Sequence, residues 1–449
     1  MGAEPGVTVP ERPRTSVVAE APPPQFGATL ALIFLLPLYF QVFQYLADLP
    51  LLWTFAKVSP LLLAPLVLLG LLRLRLPHTG LTFLVLLYVL LAAPILSMLQ
   101  LQNDLVEGLG STVKVWSLTF YFAAVASLVA FRVTEATLTR VLLGFALSSF
   151  VLLWVLWVTV PASMYGLKPA GQTIFLWDQE REERLLLPFA FGLIGVFWLA
   201  RRFAQRPAVW LVLLIILAFV LMFTILKYRT VIAATALIVL WGMSEGFRRR
   251  APTLFWGLVL GGGALGAAAL LILSSLVVGT VQESLGGSLL VRQNSTKVLL
   301  QFLGEDPIRW VFGVGGTTEI SRIGITDILR TRDFFFADLG WLGLIGEYGV
   351  IGSLLLLLLH LAALLETRRA AKLSPTPMRQ ALQDFVVYVL ATSVVLSLVL
   401  TPGQIVTVLA IAVWMQRAAS PDLPDGGQRQ AQSRLKSAVP EPGERRAIA

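Results

Sequence analysis

Long apolar runs, separated by short polar connections, constrain this chain more than any other feature. Segments such as LLWVLWVTV, VWLVLLIILAFVLMF and LFWGLVLGGGALGAAALLILSSLVV carry no charge. About 20 apolar residues in a helix cross a hydrocarbon layer of roughly 30 Å. The chain is 57% hydrophobic and only 14% charged, which is far more apolar surface than a soluble core of this length needs. Strand-like alternation is absent, so the sequence predicts an all-α, polytopic helical integral membrane protein rather than a barrel.

The apolar runs predict about twelve transmembrane helices at ordinary spanning lengths. Their approximate ranges are 27–47, 50–72, 81–101, 112–131, 141–161, 185–200, 207–226, 230–247, 252–278, 340–364, 382–400 and 403–418. Helices 1–9 thus occupy residues 27–278, helices 10–12 occupy 340–418, and one large extracytoplasmic loop, 279–339, separates them. Residues 1–26 and 419–449 are rich in proline and charge, so we expect two disordered cytoplasmic tails, the second of them basic.

The distribution of cations predicts the orientation in the membrane. One alternate set of connections carries most of them: Arg73, Arg75, Arg132, Arg140, Arg201, Arg202, Arg206, Arg248, Arg249, Arg250, Arg368, Arg369, Lys372 and Arg379. Because Lys and Arg accumulate on cytoplasmic loops, both termini are expected in the cytoplasm and the 279–339 loop outside. The same bias accounts for most of the formal charge of +9, so the expected charged partner is the lipid bilayer and not nucleic acid. The chain has no cysteine and two distant histidines, which disfavours thiolate chemistry and a histidine-based metal site.

A tight turn between two spans holds two cations on the side predicted to face outward. Lys227 and Arg229 lie in ILKYRTVIAA, against the positive-inside bias. One interpretation is that both side chains reach the lipid headgroups. The alternative is a clamp for a phosphate or pyrophosphate, because arginine offers a bidentate fork and lysine a point charge.

The large loop contains a short segment with helical spacing. Val291, Ser295, Val298 and Phe302 recur on one face, polar residues that include Arg292 and Lys297 take the others, and Gly304 and Pro307 end the segment. We expect a helix at the outer interface, whose charges either point to a site or are simply solvated. GVGG follows Arg309 without the rest of a nucleotide-binding motif, so a turn is favoured over an anion-binding loop.

Two acids mark the start of the tenth span, FFFADLGWLGLIGEYGVIG. Asp338 precedes the span, where it is either a helix cap or a catalytic acid or base. Glu347 lies nine residues later, about 13 Å farther along a helix axis. An acid at that depth is costly unless it is paired or hydrated, so Glu347 is either a functional residue or part of a structural ion pair with an arginine of the outer loop. Glycines at three-residue steps from Gly343 to Gly352 predict close packing on one face.

This order of features resembles the O-antigen polymerase and O-antigen ligase family of bacterial polysaccharide assembly. The similarity covers about residues 220–360: an arginine turn, a long loop that opens with arginine and runs to DPIRWVFGVGG, and an acid before LGWLGLIGEYGVIG. The resemblance implies an inverting glycosyltransferase of the inner membrane that uses an undecaprenyl-pyrophosphate-linked oligosaccharide at the periplasmic face. It implies no metal or nucleotide cofactor, and partners that include a flippase and a chain-length regulator.

The resemblance also implies roles for individual residues. Arg229 and Arg292 would hold the pyrophosphate, with Lys227 and Arg309 as helpers, and Asp338 would accept the proton of the acceptor hydroxyl. Lys297 and Glu347 are further substrate-binding candidates. Ligases usually have histidine where Asp338 stands, and DLGWL fits the form of polymerase-like members, so a repeat-unit polymerase is expected. The alternatives are a ligase that transfers finished polymer to lipid A core, a flippase for lipid-linked oligosaccharide, and a non-catalytic scaffold.

Overall fold

The structure is a computed structural model that describes most of the predicted helical region. The described residues are 26–44, 46, 48–166, 174–178, 182–254, 256–257, 286–304, 306–316, 334, 336–397 and 401–419. Both predicted tails apart from one residue each, most of the ninth span and part of the 279–339 loop lie outside these residues.

The described chain is helical almost throughout. Its α-helices are α1 Phe26–Tyr39, α2 Pro50–Leu62, α3 Ala64–Arg73, α4 Thr79–Leu87, α5 Ala93–Leu101, α6 Leu105–Thr112, α7 Phe120–Ala130, α8 Glu135–Thr159, α9 Ala190–Gln205, α10 Val209–Leu221, α11 Arg229–Met243, α12 Glu245–Arg250, α13 Gly286–Leu303, α14 Pro307–Phe312, α15 Gly340–Leu373, α16 Pro377–Thr392 and α17 Pro402–Ala419. Short 3₁₀ or π segments join several of them: Tyr88–Ala92, Val113–Thr119, Ala162–Met164, Met222–Leu226 and Phe336–Leu339. One antiparallel hairpin, β1 Phe175–Asp178 with β2 Glu182–Leu185, interrupts the helices.

Six helical stretches in the described part are long and apolar enough to cross a membrane. They are Pro50–Arg73, Thr79–Leu101, Leu105–Ala130, Glu135–Thr159, Val209–Leu226 and Gly340–Leu373. The predicted helical architecture is confirmed, and these six helices are compatible with a membrane protein, whereas the twelve spans and the large outer loop stay predictions.

Two predicted spans have shorter helices than their apolar runs suggested. α1 ends at Tyr39 because Gln41 adopts left-handed backbone with φ 55°. The Gln41 side chain then accepts a hydrogen bond from the Gly403 amide at 2.7 Å, at the start of α17. α16 ends at Thr392, and a turn follows. At the end of α1, a hydrogen bond to a distant part of the chain thus accompanies the change of backbone direction.

The apolar helix α17 lies at the centre of the bundle. Its residues from Ile405 to Met415 are all buried, and it packs against α7 and α15. A helix that is apolar on all sides is stable only when neighbours cover it completely. α17 is therefore the core around which the other helices are arranged.

The contacts divide the helix connections between two ends of the bundle. At one end, here called the ion-pair end, His78 meets Glu366, Glu135 meets Arg379 and Gln205 meets Pro375. The opposite end, here called the loop end, contains the first turns of α15, the connection 102–104 and the β-hairpin. There the Ile174 amide donates to Asp48 at 2.9 Å. This grouping agrees with the predicted alternation of connections, and it does not depend on which end faces the cytoplasm.

Candidate functional site

The long helix α15 is broken inside its apolar stretch, at Gly349. This residue has φ 66° and ψ −178°, a conformation that is essentially restricted to glycine. A Cβ atom there would collide with the backbone of Val311 and Phe312 from α14. The break therefore depends on a neighbouring segment that occupies the space where a side chain would lie.

The break leaves helix carbonyls without their usual partners, and groups from distant parts of the chain satisfy them. Residues 313–316, here called the glycine segment, supply two amides: Val314 donates to the Gly346 carbonyl and Gly315 to the Glu347 carbonyl, both at 2.9 Å. The Tyr88 hydroxyl donates to the Tyr348 carbonyl at 2.7 Å. Each unsatisfied backbone group in an apolar region costs several kcal/mol, so these bonds stabilise the break.

The glycine segment is a docked turn, as predicted, but its amides have a structural use. Gly315 has φ 87°, and a Cβ on it would collide with the backbone of Ala93 and Ser97 in α5. The Gly313 carbonyl accepts a hydrogen bond from the Gln100 side chain at 2.7 Å. Since the amides of Val314 and Gly315 already donate to α15, they are not available as an anion-binding nest.

Glu347, two residues before the break, forms a buried ion pair. Its side chain is 4% exposed and contacts the ammonium group of Lys114, which lies in the 3₁₀ segment between α6 and α7. One described partner of Glu347 is thus a lysine from another span. The Lys114 side chain is 31% exposed, and its Nζ also lies 6.0 Å from the centre of the Tyr348 ring. Glu347 occupies one of three ammonium donors, so Lys114 can present the others to a ligand.

The described loop residues pack as one body on the first turns of α15. This body, here called the loop unit, consists of α13, α14, the glycine segment and the 3₁₀ turn Phe336–Leu339. Its interior is a cluster of apolar side chains: Leu299, Leu303, Val314, Phe334, Phe336 and Leu339, together with Leu101 of α5. Burial of this cluster fixes α13 and the 3₁₀ turn relative to the broken helix.

Five of the sequence-predicted site residues belong to the loop unit or the helix below it. They are Arg292 and Lys297 on α13, Arg309 on α14, Asp338 in the 3₁₀ turn and Glu347 on α15. Arg292 and Asp338 are half-buried, whereas Lys297 is exposed. The predicted helix is present as α13, but its fully buried residues are Ser295, Leu299 and Leu303, whereas Val291, Val298 and Phe302 of the predicted face are half-buried.

The glycine steps of α15 serve the loop unit. Gly346 lies against the side chains of Phe336 and Leu299, and a Cβ on Gly343 would collide with the Phe336 carbonyl. The predicted close packing on this face is therefore present, with the folded-back 3₁₀ turn and α13 as the partners. This packing brings Asp338 directly above the start of α15.

Asp338 does not occupy the cap position of the helix. Leu339 is the N-cap residue of α15 and provides no side-chain cap, so Asp338 lies one residue outside the helix. Its side chain is half-buried in the 3₁₀ turn that precedes α15.

Arg309 contacts its own neighbourhood within the loop unit. Its guanidinium donates to the Phe302 carbonyl at 2.8 Å, and its Nε lies 3.3 Å from an Asp306 carboxylate oxygen. Both side chains of the pair are about two-fifths exposed, at 39% and 42%. The arginine therefore joins the ends of α13 and α14 while part of it faces solvent.

The remaining two predicted residues lie at the turn between α10 and α11. Lys227 has φ 55°, and its ammonium is 5.8 Å from the centre of the Trp157 ring. Arg229 begins α11 and is exposed. The Arg184 guanidinium of β2 lies 5.8 Å from the ring of Tyr228, which brings a third cation to this turn. The neighbours described for the turn, Trp157 and Arg184, thus come from outside the loop unit.

The hairpin beside this turn packs on the residues that follow α8. The Tyr165 ring lies 5.7 Å from that of Phe175 in β1. Burial raises the pKa of the Tyr165 phenol, and the negative charge of Glu183 raises it further.

Two site residues were not identified from the sequence. Lys114 lies within a predicted span, VKVWSLTF, and a lysine inside an apolar stretch was an available signal for a buried partner. Arg184 lies among acidic residues in EREERL, so the sequence suggested a local ion pair rather than a site residue. Among the described residues, no group of three or more metal-ligating side chains comes together. The sequence matches no protein-family model and no curated protein.

Proposed function

We propose that this chain is a polyprenyl-pyrophosphate-dependent glycosyltransferase that polymerises lipid-linked oligosaccharide repeat units. In this proposal the loop end faces the periplasm, both termini lie in the cytoplasm, and the apolar spans seat the polyprenyl chain in the inner membrane. A flippase would deliver the donor, and a chain-length regulator would act on the product.

The observation that carries the proposal is the loop unit docked on the broken helix. Its apolar interior packs α13, which carries Arg292, and the 3₁₀ turn, which carries Asp338, on the first turns of α15, the helix that holds the Lys114–Glu347 pair. Departure of a pyrophosphate needs cations that stabilise its charge, and attack by a sugar hydroxyl needs a base. A rigid body that carries both kinds of group beside an apolar bundle suits a substrate with a charged head and a lipid tail.

The reaction assigns each group a step. The acceptor hydroxyl attacks the anomeric carbon of the donor sugar, its proton passes to the Asp338 carboxylate, and the bond to the pyrophosphate oxygen breaks. Arg292 and Arg229 stabilise the polyprenyl pyrophosphate that leaves, with Lys227 and Arg309 as helpers. Lys297 contacts the substrate directly. Glu347 acts on the substrate through Lys114, with which it forms an ion pair.

The glycans of a deletion strain test the proposal. Single repeat units should accumulate on the lipid carrier, and the wild-type gene should restore long chains. Arg292→Ala and Asp338→Asn should each lower polymer formation by roughly 100-fold or more at normal protein levels, as loss of one transition-state contact does. Lys372→Ala, at the far end of α15, is the matched control and should restore polymer fully.

The same experiment identifies the alternatives. Long chains that remain on undecaprenyl pyrophosphate and never reach a final acceptor would indicate a ligase. Repeat units confined to the inner leaflet would indicate a flippase. Near-wild-type polymer from either site variant would remove that residue from its role.

A further inference from the structure

A cavity of about 460 Å³ lies between α1 and α8, away from the loop unit. It starts beside Thr137, two residues after the Glu135 that pairs with Arg379 at the ion-pair end. Its lining continues to Ser148, about 16 Å along the helix axis at 1.5 Å per residue. The cavity is therefore a vertical groove on the side of the bundle, long enough for part of an acyl chain.

One arginine of the ion-pair end lines this cavity. Arg140 is exposed and forms no ion pair with any residue that the structure describes. By contrast, Arg201, Arg369 and Arg379 each contact a carboxylate at that end. Arg140 lies five residues inside an apolar 25-residue helix, where an unpaired charge needs an anion or access to the membrane surface.

The other walls of the cavity match the parts of a lipid. The hydroxyl groups of Thr29 and Thr137 lie at the same end of the cavity as Arg140, whereas Phe145 lies deeper. The Phe145 ring stacks on Phe191 at 4.8 Å, which gives the groove a fixed apolar floor. Polar groups near the end of a span and an apolar floor farther in follow the order of a phosphate headgroup and its acyl chain.

We propose that this groove is a binding site for an anionic glycerophospholipid, with the phosphate on Arg140 and one acyl chain along Val141 and Phe145. The site is independent of the proposed function. A polyprenyl pyrophosphate bound at the loop unit would have its phosphates at the opposite end of the bundle. A phospholipid of the leaflet at the ion-pair end would have its phosphate at the level of Arg140.

Native mass spectrometry of the detergent-solubilised full chain tests the site, with phosphatidylglycerol as the probe and phosphatidylcholine as the zwitterionic comparison. Arg140→Gln removes the charge, and Gly144→Leu fills the groove. A Cβ on Gly144 meets nothing within 4 Å, so the second variant occupies the cavity without a clash in the protein. Arg132→Gln and Gly80→Leu are matched controls, since Arg132 is also exposed at this end and a Cβ on Gly80 also meets open space.

The first phosphatidylglycerol should bind wild-type protein and both controls alike. Its affinity should fall about tenfold in Arg140→Gln, as loss of a charge-assisted contact predicts, and similarly in Gly144→Leu. Equal affinity in Arg140→Gln and wild type would overturn the site. So would an equal loss in Arg132→Gln, which would indicate general attraction to positive charge, or equally tight binding of phosphatidylcholine.

Discussion

The two ends of the bundle both bury charged side chains, but they hold them in different ways. At the ion-pair end, Arg201 donates two hydrogen bonds to Asp384 at 2.6 and 2.5 Å and a third to Glu245 at 2.5 Å. At the loop end, Glu347 meets the single ammonium of Lys114, whose side chain is 31% exposed. Planar arginine pairs fix both partners, whereas a lysine on a flexible stem can exchange one partner for another.

This difference indicates two uses of buried charge in one molecule. The guanidinium of Arg379 also bridges elements, because it contacts Glu135 at 2.7 Å and the Ala370 carbonyl at 3.1 Å. Such contacts join helices that are distant in sequence and leave little room for a ligand. The Lys114–Glu347 pair instead lies beside a broken helix and below the residues proposed to bind the substrate. The first arrangement suits stability, and the second suits binding.

The largest expected effect comes from breaking the arginine pair. Arg201→Met leaves Asp384, which is 5% exposed, without its partner, and the free energy of unfolding should fall by about 3–5 kcal/mol. Denaturant unfolding in detergent measures the loss. The double variant Arg201→Met, Asp384→Leu should recover about half of it, because apolar replacement of a buried pair is close to neutral, whereas the loss of the bond from Arg201 to Glu245 remains. Arg202→Met is the control, with an expected change within about 0.5 kcal/mol. If the double variant were as unstable as Arg201→Met alone, the Arg201–Asp384 pair would not be purely structural.

The next effect concerns the broken helix. Gly349→Ala places a Cβ against the Val311 carbonyl in a backbone conformation with φ 66°. Strain and overpacking together should lower the free energy of unfolding by roughly 2–4 kcal/mol. Gly144→Ala, in an open position of α8, should change it little or raise it slightly. If both alanine variants unfolded alike, the break at Gly349 would not be required by the fold.

The sequence predicted the helices better than their interruptions, for a physical reason. Apolar runs predict helices because backbone groups in lipid must bond within their own segment. The break at Gly349 escapes that rule, since the amides of Val314 and Gly315 and the Tyr88 hydroxyl take over its bonding from far away in sequence. The sequence of the tenth span itself does not indicate those hydrogen-bond partners.

The candidate site was predicted to a similar extent. The helix around Arg292 and the position of Asp338 before a span could be identified, because hydrophobic periodicity and helix start and stop residues are local signals. The pairing of Glu347 with Lys114 could not, since the two residues lie in different spans and nothing local couples them. The sequence thus supplied the side chains of the site, while tertiary packing selected their partners.

A smaller effect sharpens the contrast between the two ends. Lys114→Met leaves the Glu347 carboxyl buried and should lower the free energy of unfolding by about 1–3 kcal/mol. The double variant Lys114→Met, Glu347→Leu should regain stability but form no long polymer, if the pair serves the substrate. The Arg201→Met, Asp384→Leu variant should regain stability and should also form long polymer. Polymer analysis of the two double variants at matched protein levels is the measurement. If both double variants formed long polymer, the Lys114–Glu347 pair would be structural in the same way as the Arg201–Asp384 pair.

The smallest expected effect on stability lies at the surface of the loop unit, where structure and function predict different outcomes. The Arg309–Asp306 pair is 39% and 42% exposed, so Arg309→Ala should change the free energy of unfolding by less than about 1 kcal/mol. As a helper at the pyrophosphate, however, Arg309 should matter for polymer yield, and loss of one partly screened cation should lower it several-fold. Arg309→Lys keeps the charge and should restore most of the yield, because a helper acts through its charge more than through a bidentate fork. Unchanged polymer yield in Arg309→Ala would show that this arginine serves only its structural contacts with Phe302 and Asp306. Arg292 would then be the cation of the loop unit whose loss is expected to abolish the polymer.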